Sequence, residues 1–269
     1  MVLQTKYDLL KQTLRELEGV AVAFSSGVDS TFLLKTAHDL LGSQTLAVTI
    51  QSNLFPKREI DEAAQFTRAE GIEHVVIELD VLVIPGFSQN PTNRCYLCKT
   101  EIFSRIRRIA KERKITHVVE GSNADDSGDY RPGLQAIAEL DILSPLQEAG
   151  LTKQEIRQLA REEGLSVWDK PSLACLASRI PFGEEITTER LAMIDMTEQY
   201  LWDAGFQQVR VRFHGNLARI ETDEEGFARL LDKDVREKIH CRFKEIGFTY
   251  IAVDLRGYRT GSMNETLVS

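Results

Sequence analysis

At 269 residues, 42% hydrophobic and 28% charged, the chain has the composition of a globular protein with room for one large domain or two ordinary ones. Its net charge of −8 argues against nucleic acid as the main partner, and no apolar run approaches the roughly 20 residues needed to cross a bilayer. The first residues lack a signal-type apolar region, so a cytoplasmic protein is expected. Four cysteines are too few for a disulfide framework and point to metal, redox or nucleophilic use.

Taken in order, Leu10, Leu14 and Leu17 recur at helical spacing and predict a first amphipathic helix from Tyr7. Val20 to Phe24 reads as a buried strand. Ser25-Ser26-Gly27-Val28-Asp29-Ser30 then forms a hydroxyl-rich turn, and a helix runs from there to about Leu41. Thr45 to Ile50 is a second strand ending in Gln51-Ser52-Asn53. Pro56 opens a helix that stops at Gly71, and His74 to Leu79 is a third strand. A basic helix spans Cys95 to Lys114. Thr116 to Val119 gives a fourth strand, ending in Glu120-Gly121-Ser122-Asn123, and Ile142-Leu143 a short fifth. Thr152 and Glu155 have the spacing of a capping box.

Strands alternating with long helices predict a parallel sheet covered on both faces, with a ligand beyond the carboxyl ends of its strands. The rim after Phe24, Ile50 and Val119 therefore gathers the nucleotide-binding candidates Ser25, Ser26, Gly27, Val28, Asp29, Ser30, Ser52 and Gly121. Asp169 to Glu185 is a connection rich in Pro, Gly and Ser. A small second α/β unit follows: a helix (Thr187 to Trp202), strands at Val209 to Phe213 and Leu217 to Glu221, a helix (Val235 to Ile246) and a strand (Thr249 to Asp254). The expected organisation is residues 1–170, a linker at 171–186, and a second domain at 187–269.

A strand-to-helix turn of this kind aims backbone N–H groups, hydroxyls and a helix dipole at one spot and suits an anion; its bland reading is a well-capped helix. It is neither a P-loop, since it lacks G-x-x-x-x-G-K-[ST], nor a G-x-G-x-x-G dinucleotide turn. It closely resembles the S-G-G-x-D-S signature of the PP-loop ATP pyrophosphatases, matched at Ser25, Gly27, Asp29 and Ser30, with Ser26 in place of the first glycine. That resemblance implies the adenine nucleotide alpha-hydrolase-like fold, cleavage of ATP between the α and β phosphates, and transfer of AMP to a substrate oxygen. Asp29 suits Mg²⁺ beside pyrophosphate. Asp126, with Asp125, either adds to the metal site or forms an Asx-type turn.

Further segments narrow the resemblance. They are Arg94-Cys95-Tyr96-x-Cys98-Lys99, Gly121 to Asp126, Tyr130-Arg131-Pro132-Gly133, Ser144-Pro145-Leu146, Lys170-Pro171, Cys175-Leu176-Ala177-Ser178-Arg179, Pro181-x-Gly183 and Gly257-Tyr258-Arg259-x-Gly261-Ser262-Met263-Asn264. Together they resemble the LarE family of sacrificial sulfur insertases over essentially the whole chain. The resemblance implies adenylation of a carboxylate of pyridinium-3,5-dicarboxylate mononucleotide, on the route to the nickel-pincer cofactor of lactate racemase. It further implies attack by Cys175 and elimination that leaves a thiocarboxylate and dehydroalanine. A hexameric homo-oligomer is implied by resemblance alone.

Taken by itself, Cys175 is either a small buried hydrophobe between Leu173 and Leu176 or a nucleophile served by Ser178 and the Arg179 guanidinium. Arg210 and Arg212, two apart in a strand, project from one face; with Arg219, Arg256 and Arg259 they either bind substrate phosphate or carboxylates, or form a solvated face paired with Glu221 or Asp223. Glu198 is a candidate for acid/base or orienting work. Cys95-x-x-Cys98 supplies two thiols. An iron–sulfur carrier needs several together, which favours a sacrificial Cys175 over a cluster. The rival readings are a PP-loop tRNA thiolase, an ammonia-dependent amidating synthetase and a nucleotide-sensing module.

Overall fold

The computed structural model describes residues 2–128, 132–171, 174–259 and 261–263; Tyr130, Arg131, Ser172, Leu173 and Asn264 of the segments above lie outside them. The chain forms two compact units. One comprises residues 1–84 and 93–173, the other residues 85–92 and 174–269.

In the first unit, α1 (Leu3–Glu16) leads into β1 (Val20–Ala23), and α2 (Val28–Leu41) precedes β2 (Thr45–Gln51). Then come α3 (Lys57–Glu70), β3 (Glu73–Glu78), α4 (Arg94–Glu112), β4 (His117–Val119), α5 (Pro132–Glu139), α6 (Pro145–Glu148) and α7 (Lys153–Glu162). The four strands are parallel in the order β3-β2-β1-β4. The run Val20-Ala21-Val22 is fully buried, as a strand covered on both faces requires. Val20, Val22, Ala47 and Val119 join Leu10 and Leu14 of α1, Phe32 to Leu34 of α2, and Ile156 and Leu159 of α7 in one apolar cluster. The expected fifth strand is reduced to one bridge, Val119 to Leu143, because the chain leaves the sheet within two residues to enter α6. The sequence reading missed α5 and α6; Pro and Gly open α5, and α6 is a single turn.

The Thr152–Glu155 capping box is present: the Thr152 hydroxyl accepts the Glu155 N–H at 3.3 Å and Glu155 Oε2 accepts the Thr152 N–H at 2.8 Å. A Lys6–Glu155 ion pair at 2.7 Å adds to it. Facing the end of β1, His74 bridges the Thr49 hydroxyl (2.8 Å) and the Thr67 hydroxyl (3.1 Å), and Thr49 Oγ1 donates to the Phe24 carbonyl at 2.9 Å. This side-chain chain fixes the strand just where the nucleotide-type turn departs.

The second unit carries α8 (Thr188–Asp203), β5 (Val209–His214), β6 (Leu217–Thr222), α9 (Glu224–Leu230), α10 (Lys233–Ile246) and β7 (Tyr250–Val253). Its sheet is mixed: β5 pairs antiparallel with β6, and β6 parallel with β7. Residues 85–92 belong here because Asn90, fully buried in the left-handed region at φ 54°, ties them to the segment before α8. Its amide donates to the Pro181 carbonyl at 2.7 Å and its own carbonyl accepts the Gly183 N–H at 2.9 Å. Asn tolerates that backbone better than most residues. Leu176, Ala177 and Ile180 are buried, so the described part of the reactive segment is packed rather than loose.

Candidate active site

The nucleotide-type turn joins β1 to α2 in the first unit. The Ser30 hydroxyl accepts the Ser25 N–H (3.3 Å), lies 3.1 Å from the Ser25 hydroxyl and donates to the Gly27 carbonyl at 3.2 Å, closing the turn on itself. Gly27 is the N-cap of α2, with extended backbone, and Val28 is buried at the first position of the helix. Ser26, where the family signature has glycine, adopts φ 54°, a conformation that costs an L-residue about 1–2 kcal/mol. The side chain supplies the compensation. Its buried hydroxyl donates to the Glu59 carbonyl at 3.1 Å, and Lys170 Nζ donates to the Ser26 carbonyl at 3.0 Å while pairing with Glu62. Arg157 in turn holds the Lys170 carbonyl at 2.6 Å.

A pair of variants separates these terms. Ser26→Ala keeps the backbone strain and loses the hydroxyl bond, a cost of about 1 kcal/mol. Ser26→Gly loses the bond and the strain together, so it is expected to melt close to the wild-type temperature and above Ser26→Ala. Thermal unfolding of the three proteins checks the order.

The neighbouring rim follows β4. Glu120, buried, accepts the Ser122 N–H (3.0 Å), the Ser122 hydroxyl (2.9 Å) and the Ser144 hydroxyl (2.6 Å), which sets the course of residues 120–123. A methyl group on Gly121 would stand 3.0 Å from the Ser30 nitrogen and 3.3 Å from Asp29 Cβ, so this position passes the start of α2 closely only as glycine. Ser52 follows β2, where its hydroxyl accepts the Leu54 N–H at 3.2 Å.

Asp29 faces this rim. Its carboxylate pairs with Lys153 Nζ and lies 3.5 Å from the Asn123 amide nitrogen. Burial raises its pKa above the usual carboxylate value; Lys153 opposes the rise and the Asp126 carboxylate adds to it. Asp126 accepts the Asn123 N–H at 2.9 Å and Asn123 Oδ1 accepts the Asp125 N–H at 3.0 Å, so the Asx-type turn is formed. Asp125 points elsewhere and accepts the Lys153 main-chain N–H at 2.9 Å. Among the described residues no group of three or more His, Cys, Asp or Glu side chains is placed to hold a metal ion. Two interacting carboxylates nonetheless suit Mg²⁺, which takes one or two protein carboxylates and completes its shell with phosphate and water.

In the second unit, Cys175 is part exposed and precedes the 3₁₀ turn Leu176–Arg179. Arg179 is buried and clamps that segment: Nη1 donates to the carbonyls of Ala174 (2.6 Å) and Cys175 (3.0 Å) and reaches the Ser178 hydroxyl at 3.0 Å. Its Nε and Nη2 make a bidentate pair with Glu198 at 2.9 and 2.8 Å. Glu198 is 1% exposed and also accepts the Val211 N–H at 2.9 Å. Burial opposes its ionisation, yet the Arg179 charge and hydrogen bonds, the Arg210 charge and the Val211 N–H hold its pKa below the ordinary value. A carboxylate held ionised on three donors orients its neighbours; it is poorly suited to shuttle protons.

Arg210 and Arg212 share a face of β5, but that face is buried, not solvated: the two are 2% and 5% exposed. Arg212 Nη2 donates to Glu221 Oε2 (2.6 Å) and the Ser262 hydroxyl (3.0 Å), and Nη1 to the Ser178 carbonyl at 3.3 Å, which links the arginine face to the reactive segment. Arg219, opposite Arg212 in register, reaches the other Glu221 oxygen at 3.1 Å. Arg210 lies over the Tyr258 ring, 5.3 Å from its centre. Arg259 pairs with Asp254 at 3.2 Å. The pairing with Glu221 is real; Asp223 instead caps α9 through the Gly226 N–H at 2.9 Å. Arg212 Nε, Arg219 Nε and His214 Nε2 are buried and find no hydrogen-bond partner among the described residues. Cys95 is exposed and Cys98 buried at the start of α4.

Sequence reasoning missed Lys153, Lys170 and Ser262 as site residues. Lys170 and Ser262 lie inside quoted segments; nothing local marks Lys153, which meets Asp29 across 124 positions.

No family model matches the chain. Pairwise similarity is strong. The chain is 39% identical over 267 residues to the pyridinium-3,5-bisthiocarboxylic acid mononucleotide synthase of Lactiplantibacillus plantarum, covering 98% of this chain and 96% of that protein. It is 39% identical over 266 residues to an uncharacterized protein of Synechocystis, covering 99% of each. Argininosuccinate synthase of Natronomonas pharaonis is 27% identical over 161 residues, 55% of this chain and 40% of that protein. The chain therefore belongs to the LarE family, within the PP-loop ATP pyrophosphatases.

Proposed function

We propose that the protein is an ATP-dependent sulfur-inserting synthase acting on pyridinium-3,5-dicarboxylate mononucleotide, in biosynthesis of the nickel-pincer cofactor of lactate racemase. The observation that carries this is the near full-length identity with a synthase named for the bisthiocarboxylic product.

The turn at Ser25 to Ser30, with Ser52 and Gly121, receives ATP, its N–H groups and hydroxyls set toward the pyrophosphate end. Asp29 and Asp126 would hold Mg²⁺, which supplies charge neutralisation on the phosphates. A substrate carboxylate oxygen attacks the α phosphorus; the bond to pyrophosphate breaks and an acyl adenylate forms. Adenylation converts a poor electrophile into one with a good leaving group. Cys175, as thiolate, attacks the acyl carbon and expels AMP. Loss of the Cys175 Cα proton then forms the Cα–Cβ double bond as the Cβ–S bond breaks. Sulfur stays on the substrate as thiocarboxylate and residue 175 becomes dehydroalanine, with no oxidant or reductant consumed.

Arg179 holds the backbone of the reactive segment, Ser178 lies between it and Arg212, and Glu198 keeps Arg179 in place. Arg210, Arg212 and Arg259 bind substrate anions. The unpartnered buried nitrogens of Arg212, Arg219 and His214 support an anion at that face. The chain works as a homo-oligomer, a hexamer by family resemblance. A sacrificial Cys175 is preferred to a cluster carrier because Cys175 has no companion thiol in its own segment.

The test is incubation under anaerobic conditions with ATP, Mg²⁺ and the dicarboxylate mononucleotide. Pyrophosphate release that depends on the mononucleotide, together with a thiocarboxylate product, is expected. Pyrophosphate release indifferent to it, or driven by tRNA or ammonia, would overturn the assignment.

A further inference from the structure

We infer that Lys153 is a pyrophosphate-binding residue of the adenylation step, one that neutralises Asp29 in the free protein and moves to the β and γ phosphates when Mg·ATP binds. The inference rests on the nucleotide reading of the turn and deepens it, because the turn itself carries no lysine.

Three observations lead here. First, the main chain of Lys153 is fixed while its ammonium is not. Residue 153 opens α7 behind the Thr152–Glu155 box, and its N–H is bound to Asp125 at 2.9 Å, so a four-carbon stem pivots from a rigid point. The side chain keeps 27% of its surface exposed. Second, its partner is Asp29, in the first turn of α2. A helix N-terminus repels cations and favours anions, so the ammonium stands there only through the one carboxylate. A phosphate chain entering the turn would offer it several oxygens and the favourable dipole together. Third, Asp29 and Asp126 interact, and a dication drawn to both would take the Asp29 oxygen that Lys153 now occupies. Its charge would then have the pyrophosphate as nearest counterpart.

Lys170 makes a useful contrast. Its ammonium is committed to Glu62 and to the carbonyl and hydroxyl of Ser26, and its carbonyl is held by Arg157, so it shapes the turn from behind. Lys153 faces the carboxylate that would meet the metal.

The distinguishing property is selectivity for the part of the nucleotide beyond the α phosphate. Isothermal titration of wild type, Lys153→Met and Lys153→Arg with ATP, inorganic pyrophosphate and AMP, each with Mg²⁺, reads it without turnover. Lys153→Met is expected to weaken ATP and pyrophosphate by about 10- to 100-fold, the worth of a charge-assisted contact, and to leave AMP within about twofold. Lys153→Arg is expected to restore most of the loss. If Lys153→Met folds poorly, Lys153→Gln, which keeps a hydrogen-bond donor to Asp29 without charge, should give the same selective loss. Wild-type binding of all three ligands with unchanged ATP affinity in the Met variant overturns the role of Lys153. Equal loss of ATP and AMP overturns it too, since that marks a structural part of the site. Failure of the wild type to bind ATP or pyrophosphate sinks the nucleotide reading itself.

Discussion

Replacing Cys175 by alanine is expected to leave mononucleotide-dependent pyrophosphate release near the wild-type rate while thiocarboxylate formation falls by at least about 10³-fold, the scale seen when a nucleophile is removed. The split follows from the order of bond changes. Adenylation is carried by the turn before α2, and Cys175 enters only once the acyl adenylate exists. Fold damage does not confuse the result, because Cys175 is part exposed and its segment is held through main-chain carbonyls that alanine retains. Serine is the stricter control: it preserves size and a hydroxyl nucleophile but cannot deliver sulfur. Pyrophosphate assay and product mass spectrometry on the same samples check both halves. Thiocarboxylate made by either variant would remove Cys175 from the mechanism.

The second large effect concerns Glu198. Glu198→Gln is expected to destabilise the protein by about 3–5 kcal/mol, the usual result of stripping one partner from a buried ion pair. Arg179 would lose its bidentate acceptor while remaining inside the unit, and the Arg210 charge nearby would go uncompensated. The pH dependence adds a signed test. With its folded pKa depressed, Glu198 contributes stability that is present above the unfolded value of about 4.3 and is lost as pH falls through the folded one. The wild-type advantage over Glu198→Gln, measured by urea unfolding, should be full at neutral pH and shrink below about pH 4.3. A constant difference down to the lowest pH would mean that Glu198 is not the ionised partner described here.

The parts of this molecule that were legible in its sequence are those written in local order. The apolar run before Ser25, the hydroxyl-rich turn and the helix after it could be read directly, as could the capping box at Thr152 and the shared face of Arg210 and Arg212, because strand and helix periodicities and capping rules act over a few residues. What escaped was set by distance along the chain. The solvated reading of the arginine face failed because Glu221, Ser262 and the backbone of Ser178 enclose it, contacts that no periodicity reports. Asn90 pinning the segment at 180–183 and Lys153 meeting Asp29 join parts of the chain 90 or more positions apart. The substitution at Ser26 shows both sides: the sequence marks the missing glycine, but only the structure reveals the Glu59 carbonyl and Lys170 that support a serine there.

Intact-protein mass spectrometry before and after incubation with ATP, Mg²⁺ and the dicarboxylate mononucleotide tests the central claim most directly. A sacrificial Cys175 predicts one turnover per site and a mass loss of one molecule of hydrogen sulfide, mapped by peptide analysis to dehydroalanine at residue 175. An unchanged mass after multiple turnovers would contradict it.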